Sequence, residues 1–215
     1  MKASIKVKVI ADPTPPPPFV GTRIRIRLDD PQSLTWGMSE LLLAEGHESA
    51  AVDWGDGNLQ EITGGEITHT YAKPGEYDVL ISDDIMSLSC SASSDTSVFH
   101  NVYAPMIREC CTNATELDRL AKNCFMEAVN LRTFSCEGSV LRELGGRAFG
   151  KSSSFLKRID FPNVVSVGSN TFYSSTDLTE LHFGLANEEV IKASSAWESS
   201  GHKFGAANAT VYFDL

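Results

Sequence analysis

The sequence predicts a mainly β protein with short helices, in which a β-sandwich is joined to a short solenoid of repeats. Short segments of alternating apolar and polar residues, separated by Gly and Pro turns, indicate the sandwich in the first part of the chain. A motif that recurs after 24 and then 23 residues indicates the repeats. The 215 residues divide into an N-terminal strand with a proline-rich linker, the sandwich and the repeats, which cover 1–19, 20–83 and 84–215.

Composition excludes several classes of function. The net charge is −10 and Lys and Arg do not cluster, so we expect no nucleic-acid partner. No apolar run approaches the roughly 20 residues that span a bilayer, so we expect no membrane span. The first residues alternate between apolar and charged side chains, which does not fit a signal peptide.

The N-terminal part begins with two alternating segments. Residues 4–10 predict a half-buried strand, and the proline tract at 13–18 predicts a stiff spacer. In residues 22–28, Ile24, Ile26 and Leu28 are predicted to point inward, while a row of arginines forms a solvated strand face.

The rest of the sandwich is predicted from short segments between turns. The apolar run at 41–44 fits a helical turn and a buried strand equally well. Further strands are predicted near 59–62, at 68–71 and at 77–82, with Gly and Pro turns between them.

A Trp-Gly-Asp-Gly turn lies in the middle of this region. Alternation puts Val52 and Trp54 in the core and directs Asp53 away from it. Asp56 and Gly57 are residues of a tight turn, because Asp accepts a hydrogen bond from its own backbone and Gly tolerates positive φ. A calcium loop needs more regularly spaced oxygen ligands, so we predict a structural turn and no metal site.

The repeats are marked by Phe125, Phe149 and Phe172. Each is followed by a strand pattern of apolar residues, which we expect to face the core: Leu131/Phe134/Cys136, Leu156/Ile159/Phe161 and Leu178/Leu181/Phe183. Residues 85–90 fit the same pattern two periods earlier, and 107–112 fit a degenerate copy between them. A last copy has Trp197 at the Phe position and Val211 and Phe213 in the strand.

Stacked repeats align the outward positions of their strands in two columns. The candidate partner-binding face consists of Thr133, Arg158, Glu180 and Thr210 in one column and Ser135, Asp160, His182 and Tyr212 in the other. This register places Arg158 beside Glu180 and Asp160 beside His182. A solvated face with weak ion pairs and a partner-binding face are both compatible with the pattern.

The sequence gives little support for catalysis, or for a zinc site or disulfide framework formed by its cysteines. The chain has five cysteines without a CxxC pair, so a zinc site is not indicated. A disulfide framework is possible, but buried free thiols fit the repeat pattern better. No metalloprotease, hydrolase or phosphate-loop motif is present, and we predict a protein that is not an enzyme, without catalytic residues, metal or cofactor.

Two family resemblances follow from these motifs. Residues 20–83 resemble a PKD domain, an Ig-like β-sandwich, through the sequences at 52–57, 69–71 and 74–79. Residues 84–215 resemble BspA-type leucine-rich repeats, with 147–149 as the nearest copy of the motif. The resemblance implies an extracellular recognition or adhesion module, on a bacterial surface or a phage tail, that binds a protein or glycan through its repeats while the PKD-like domain acts as a spacer.

Two other functions remain open at the level of sequence. The chain could be a structural or assembly subunit of a phage or prophage particle, in which the strand at 4–10 pairs with a virion neighbour or a second copy of the chain. It could also be an accessory domain of a carbohydrate-directed hydrolase system.

Overall fold

The computed structural model describes residues 19–29, 34–90, 103–152, 155–199, 201 and 203–215. The predicted strand at 4–10 and the proline tract at 13–18 lie outside the described residues. The chain is mainly β with a few short helices, in agreement with the predicted class. In the described residues, no helix has the length and apolar character needed to cross a membrane.

The secondary structure follows the chain in three groups. The first part forms β1 (Gly21–Leu28), β2 (Thr35–Leu43), β3 (Ala50–Asp53), β4 (Leu59–Ile62), β5 (Gly65–Thr70), β6 (Gly75–Ser82) and β7 (Ile85–Ser89). The second part forms β8 (Ile107–Thr112), β9 (Arg119–Leu120), β10 (Thr133–Ser135), β11 (Glu143–Leu144), β12 (Arg158–Phe161), β13 (Ser166–Val167), β14 (Glu180–Phe183) and β15 (Thr210–Phe213). The helical segments are 3-10 turns at Ala104–Met106 and Leu185–Asn187, and the helices α1 (Glu188–Lys192) and α2 (Ser195–Ser199).

Two six-stranded sheets and one three-stranded sheet contain these strands. Their orders are β10-β8-β1-β6-β3-β4, β13-β11-β9-β7-β2-β5 and β12-β14-β15. Ile24 and Ile26 on β1 are fully buried, so the predicted inward face of this strand is confirmed. The ambiguous run at 41–44 belongs mostly to a strand, because Leu41 and Leu42 pair with β7.

The outward arginines of β1 form ion pairs with both neighbouring strands. The Arg25 guanidinium lies 2.8 Å from the Asp78 carboxylate on β6 and 3.2 Å from the Glu109 carboxylate on β8. Arg27 lies 3.6 Å from Glu76. The predicted solvated arginine row is therefore half-exposed and neutralised by acids across the strands.

Both large sheets continue past residue 83. β8 and β10 extend the sheet that contains β1, and β9, β11 and β13 extend the sheet that contains β2. One cluster of buried side chains runs through the described chain, from Ile24 to Ala209. The predicted boundary at 83/84 thus does not coincide with a break in either sheet.

The repeat region is built from parallel strands in register. Leu144 on β11 lies opposite Leu120 on β9 and Val167 on β13. Phe134 on β10 lies opposite Cys110 on β8, which confirms that 107–112 occupies the position of a repeat strand. The nine apolar residues of the three predicted strand patterns are all buried, as expected for a core face.

Residues 85–90 occupy a different position from the predicted one. β7 is antiparallel to β2 and parallel to β9, with Leu88 opposite Leu120. The prediction placed this segment in the column of β10 and is wrong. Each repeat contains two apolar strand positions, and the spacing of apolar residues alone does not distinguish them.

The loops that carry the repeat phenylalanines stack through backbone hydrogen bonds. The amide of Phe125 donates to Ala148 O, and the amide of Phe149 donates to Thr171 O, at 2.6 and 2.8 Å. The amide of Phe172 donates in the same way to Phe204 O at 2.9 Å, so residues around 204 form the last loop of the stack. The predicted Trp197 lies on α2 instead, where its ring packs 5.4 Å from that of Phe204.

Candidate partner-binding site

The three-stranded sheet carries six of the eight residues of the predicted face. Arg158, Glu180 and Thr210 are opposite one another across β12, β14 and β15, and so are Asp160, His182 and Tyr212. Thr133 and Ser135 lie on β10, which pairs with β8 in another sheet. The predicted register inside the three-stranded sheet is confirmed, whereas the eight residues do not share one sheet.

Arg158, in the first column of the predicted face, is the centre of an ion-pair network. The Arg158 guanidinium donates to both carboxylate oxygens of Asp160, at 2.7 and 3.1 Å. It also lies 3.7 Å from Glu180, as the sequence predicts. The hydrogen bond to Asp160 raises the pKa of Arg158, and the two hydrogen bonds to that carboxylate orient the guanidinium at the surface.

His182 does not present its ring to solvent. Only 6% of its side chain is exposed, because Tyr212 stacks on the ring at 4.5 Å and Asp214 lies 2.7 Å from Nδ1. Its other nitrogen is 3.4 Å from Glu180. His182 lies opposite Asp160 as predicted, but its ring contacts Asp214 and Glu180, and the prediction that it faces solvent is wrong. The side chains of β15 and of the segment that follows cover it.

A cavity lies between β10 and β12, the two strands at which the parallel ladder is interrupted. Its volume is about 520 Å³, and its walls include Ser135, Glu137, Arg158 and Asp160, with Phe134, Cys136, Pro162 and Leu215 as the remaining lining residues. Side-chain contacts bridge the interruption, since Cys136 Sγ donates to Asp160 O at 3.3 Å and the rings of Phe134 and Phe161 lie 5.8 Å apart. Three residues of the predicted face thus line one cavity.

The chemistry of this cavity suits non-covalent binding. Ser135 offers a hydroxyl, Glu137 and Asp160 offer carboxylates, and Arg158 offers N–H donors beside an apolar wall. Burial raises the pKa of the Cys136 thiol to about 12, so this sulfur remains a protonated hydrogen-bond donor at neutral pH.

A second cavity adjoins the first and shares Ser135 and Glu137 with it. Its volume is about 580 Å³, and it extends over the outward side of β8 and β1, with Arg23, Cys111 and Asn113 among its lining residues. Glu137 continues the alternation of Thr133 and Ser135 by one step, so the sequence contained a signal for it. Arg23 and Asn113 carried no such signal, because they come from strands that only the folded sheet brings beside β10.

The Trp-Gly-Asp-Gly turn links β3 and β4 in a hairpin. Asp56 Oδ1 accepts hydrogen bonds from the Asn58 amide and side chain at 3.1 and 3.0 Å, and Asp53 Oδ1 accepts one from Gly55 N at 2.9 Å. Gly57 has a φ of 93°, as a residue of such a turn requires. Both carboxylates thus hold the backbone of the turn.

An aromatic cluster lies beneath this turn. His69 Nε2 is 2.8 Å from Asp56 Oδ2, and the His69 ring stacks on Trp54 at 5.0 Å. Burial raises the pKa of Asp56, but the hydrogen bonds from His69 and Asn58 outweigh this effect and hold it below its ordinary value. The sequence did not indicate the contact between Asp56 and His69, because they are 13 residues apart.

In the residues that the structure describes, no three His, Cys, Asp or Glu side chains are grouped so that they could hold a metal ion. Comparisons of the chain with protein-family models, with curated proteins and with solved structures gave no match.

Proposed function

We propose that this chain is a non-enzymatic recognition module that binds a glycan at the cavity between β10 and β12. The observation that carries the proposal is the convergence of Ser135, Glu137, Arg158 and Asp160 on one cavity of about 520 Å³ with an apolar wall. Concave sites with a few converging polar groups are typical of small-ligand recognition. A sugar ring offers hydroxyls to these donors and acceptors and an apolar face to the wall.

The shape of the site favours a glycan over a protein partner. Protein interfaces usually bury a contiguous patch with apolar and aromatic residues at its centre. Here the cavity lining is mixed, and its aromatic residue, Phe134, is only 6% exposed. Binding of a protein through the same face is the alternative outcome of the experiment below.

We also propose an architecture for the chain and an extracellular location. Parallel strands in register and stacked loops support a leucine-rich-repeat-like solenoid in 84–215, and the two sheets of the first part support a PKD-like sandwich. We extend the proposal to an extracellular location, on a bacterial surface or a phage particle, on the strength of the motif resemblances alone.

A screen with a blocked cavity tests the proposal. The wild-type chain and the variant Ser135→Trp are applied to an array of bacterial and host glycans and to an array of surface proteins. Ser135 lines the cavity, so the added indole should fill it and abolish binding. Thr133→Trp is the matched control, because Thr133 is exposed on the same strand but does not line the cavity.

The outcomes separate the alternatives. A glycan that binds the wild type and Thr133→Trp but not Ser135→Trp supports the proposal. A glycan whose binding Ser135→Trp leaves unchanged contradicts the position of the site. Binding of array proteins alone contradicts the glycan assignment, and no binding to either array contradicts recognition as the function.

A further inference from the structure

Two buried cysteines lie on backbone segments that are joined by a hydrogen bond, where the first part of the chain meets the repeats. Cys90 directly follows β7, and Cys124 lies in the loop after β9. Both residues are fully buried. The Cys90 amide donates to Cys124 O at 3.2 Å, and the neighbouring Cys124 thiol contributes to raising the pKa of Cys90.

This arrangement brings the two residues within the range of a disulfide. A disulfide needs Cα atoms about 4.4–6.8 Å apart and Cβ atoms about 3.5–4.5 Å apart. A direct backbone hydrogen bond fixes the separation of the two main chains, and both side chains are fully buried at this junction. The parallel pairing of Leu88 with Leu120 holds the neighbouring strands in this register.

The other cysteines are less suitable partners. The Cys124 thiol also contributes to raising the pKa of Cys110, but the backbone of Cys110 pairs with β1 and β10 and not with the loop of Cys124. Cys111 lines the second cavity, on the outward side of β8, and Cys136 lies beyond the end of β10, beside the first cavity. Among the five cysteines, all reduced in this structure, Cys90 and Cys124 are therefore the pair joined by a backbone hydrogen bond.

We propose that Cys90 and Cys124 are an oxidation site, which forms a disulfide when the chain folds in the presence of a small-molecule disulfide such as oxidised glutathione. One cysteine thiolate attacks a glutathione sulfur, and one glutathione thiolate leaves. The second cysteine loses its proton to solvent, attacks the mixed disulfide and releases the second glutathione. Two protein thiols are oxidised, and one glutathione disulfide is reduced to two thiols.

Burial determines when this reaction takes place. The thiolate is the attacking species, and neither sulfur is accessible to solvent in the folded chain. Burial also raises the pKa of Cys90 well above its ordinary value, which removes the thiolate at neutral pH. Oxidation thus accompanies folding, and the folded dithiol resists the same oxidant.

The bond would connect the last strand of the first part to the first loop of the repeats. It would close a loop of about 35 residues, a length at which disulfides constrain the unfolded chain substantially. The inference does not depend on the proposed recognition function, because neither cysteine lines the candidate cavity.

Refolding in a glutathione redox buffer tests the inference. The denatured, reduced full chain is refolded with oxidised and reduced glutathione, free thiols are alkylated, and intact mass and non-reduced peptide maps are recorded. We expect three alkylated thiols and one linked peptide pair that contains Cys90 and Cys124. The oxidised protein should have a Tm about 5–10 °C higher than the reduced protein.

Matched variants identify the pair. Cys110→Ser should keep the linked peptides, whereas Cys90→Ser should lose them. Five alkylated thiols in the refolded wild type, or a link that involves Cys110, Cys111 or Cys136, would overturn the inference. The wild-type peptide map decides even where a buried serine prevents folding. Rapid oxidation of the already folded protein would contradict the role given to burial.

Discussion

The turn region around Trp54 and the repeat region around Phe149 both bury aromatic rings, but different contacts position those rings. In the first, Trp54 stacks on His69, which is 2.8 Å from the Asp56 carboxylate of the turn. In the second, Phe149 stacks on Phe172 at 5.5 Å, and backbone hydrogen bonds between loops set the spacing. The first arrangement depends on one polar side chain, and the second depends on the repeat of the backbone.

This difference indicates how each region tolerates substitution. A stacked loop retains its backbone hydrogen bonds whatever side chain it carries, so its weak point is the packed ring. A turn held by a carboxylate loses its geometry when that carboxylate is removed. Substitutions in the two regions should therefore differ in their effect on stability.

Phe149→Ala should lower the free energy of unfolding by about 3–5 kcal/mol, because it leaves a cavity in the core. The Phe149 ring is fully buried and lies within 6.0 Å of four other phenylalanine rings. Urea denaturation followed by circular dichroism measures the loss. Phe155→Ala is the control, since 49% of Phe155 is exposed and the change should cost less than about 1 kcal/mol. Equal losses would contradict the importance of the stack.

Asp56→Ala should cost about 1–2 kcal/mol, because the Asn58 amide and His69 lose a charged hydrogen-bond partner. The same urea denaturation measures this loss. Asp177→Ala serves as the control in the repeat region, where Asp177 forms an exposed ion pair with Lys157 at 3.3 Å. That control should cost less than about 0.5 kcal/mol. A turn variant as stable as the control would show that the carboxylate does not hold the turn.

The stabilisation from Asp56 should depend on pH. Its pKa in the folded protein is lowered from an ordinary value of 3.8, so the stabilisation is present above that value and is lost as the pH falls through the folded pKa. Asp56→Asn retains a hydrogen-bond acceptor and removes the titration. The difference in free energy of unfolding between the wild type and this variant should be largest near pH 7 and shrink below about pH 4. A difference that is constant with pH would contradict the assigned charge interaction.

Arg158→Ala should have a smaller effect on stability than Asp56→Ala, because the ion pairs of Arg158 are exposed to solvent. Thermal unfolding at low and high salt measures it, and the small loss should diminish further at high salt. A loss as large as that of Asp56→Ala would mean that the network on β12 is structural.

The sequence was sufficient to predict the features that alternation within a strand or the repeat period determines. Alternation predicted the buried face of β1, and the repeat period predicted that Arg158 lies beside Glu180. The two-residue strands β9, β11 and β13 were missed, because they are too short to show a period. The burial of His182 was also missed, since its cover comes from Tyr212 and Asp214, 30 or more residues later.

The sequence did not predict the cavity or the continuation of both large sheets past residue 83, for a similar reason. The cavity depends on an interruption between β10 and β12, although both segments have the same apolar pattern. The continuity of both sheets past residue 83 depends on pairings such as Ile24 with Cys110, which join distant parts of the chain. Local patterns determine faces and periods, whereas long-range pairing determines which surfaces meet.

The central claim is that the cavity beside Arg158 binds the ligand, and one pair of variants tests it directly. Arg27 is a matched control for Arg158, because each arginine forms an ion pair with the aspartate two residues later. Arg27 Nε is 2.6 Å from Asp29, and 51% of its side chain is exposed. Arg158 Nε is 2.7 Å from Asp160, and 49% of its side chain is exposed. The affinity for a glycan identified on the array is measured by titration calorimetry. Relative to the wild type, Arg158→Ala should lower this affinity by a factor of about ten or more, and Arg27→Ala should leave it unchanged. Equal affinities for the two variants would contradict the account.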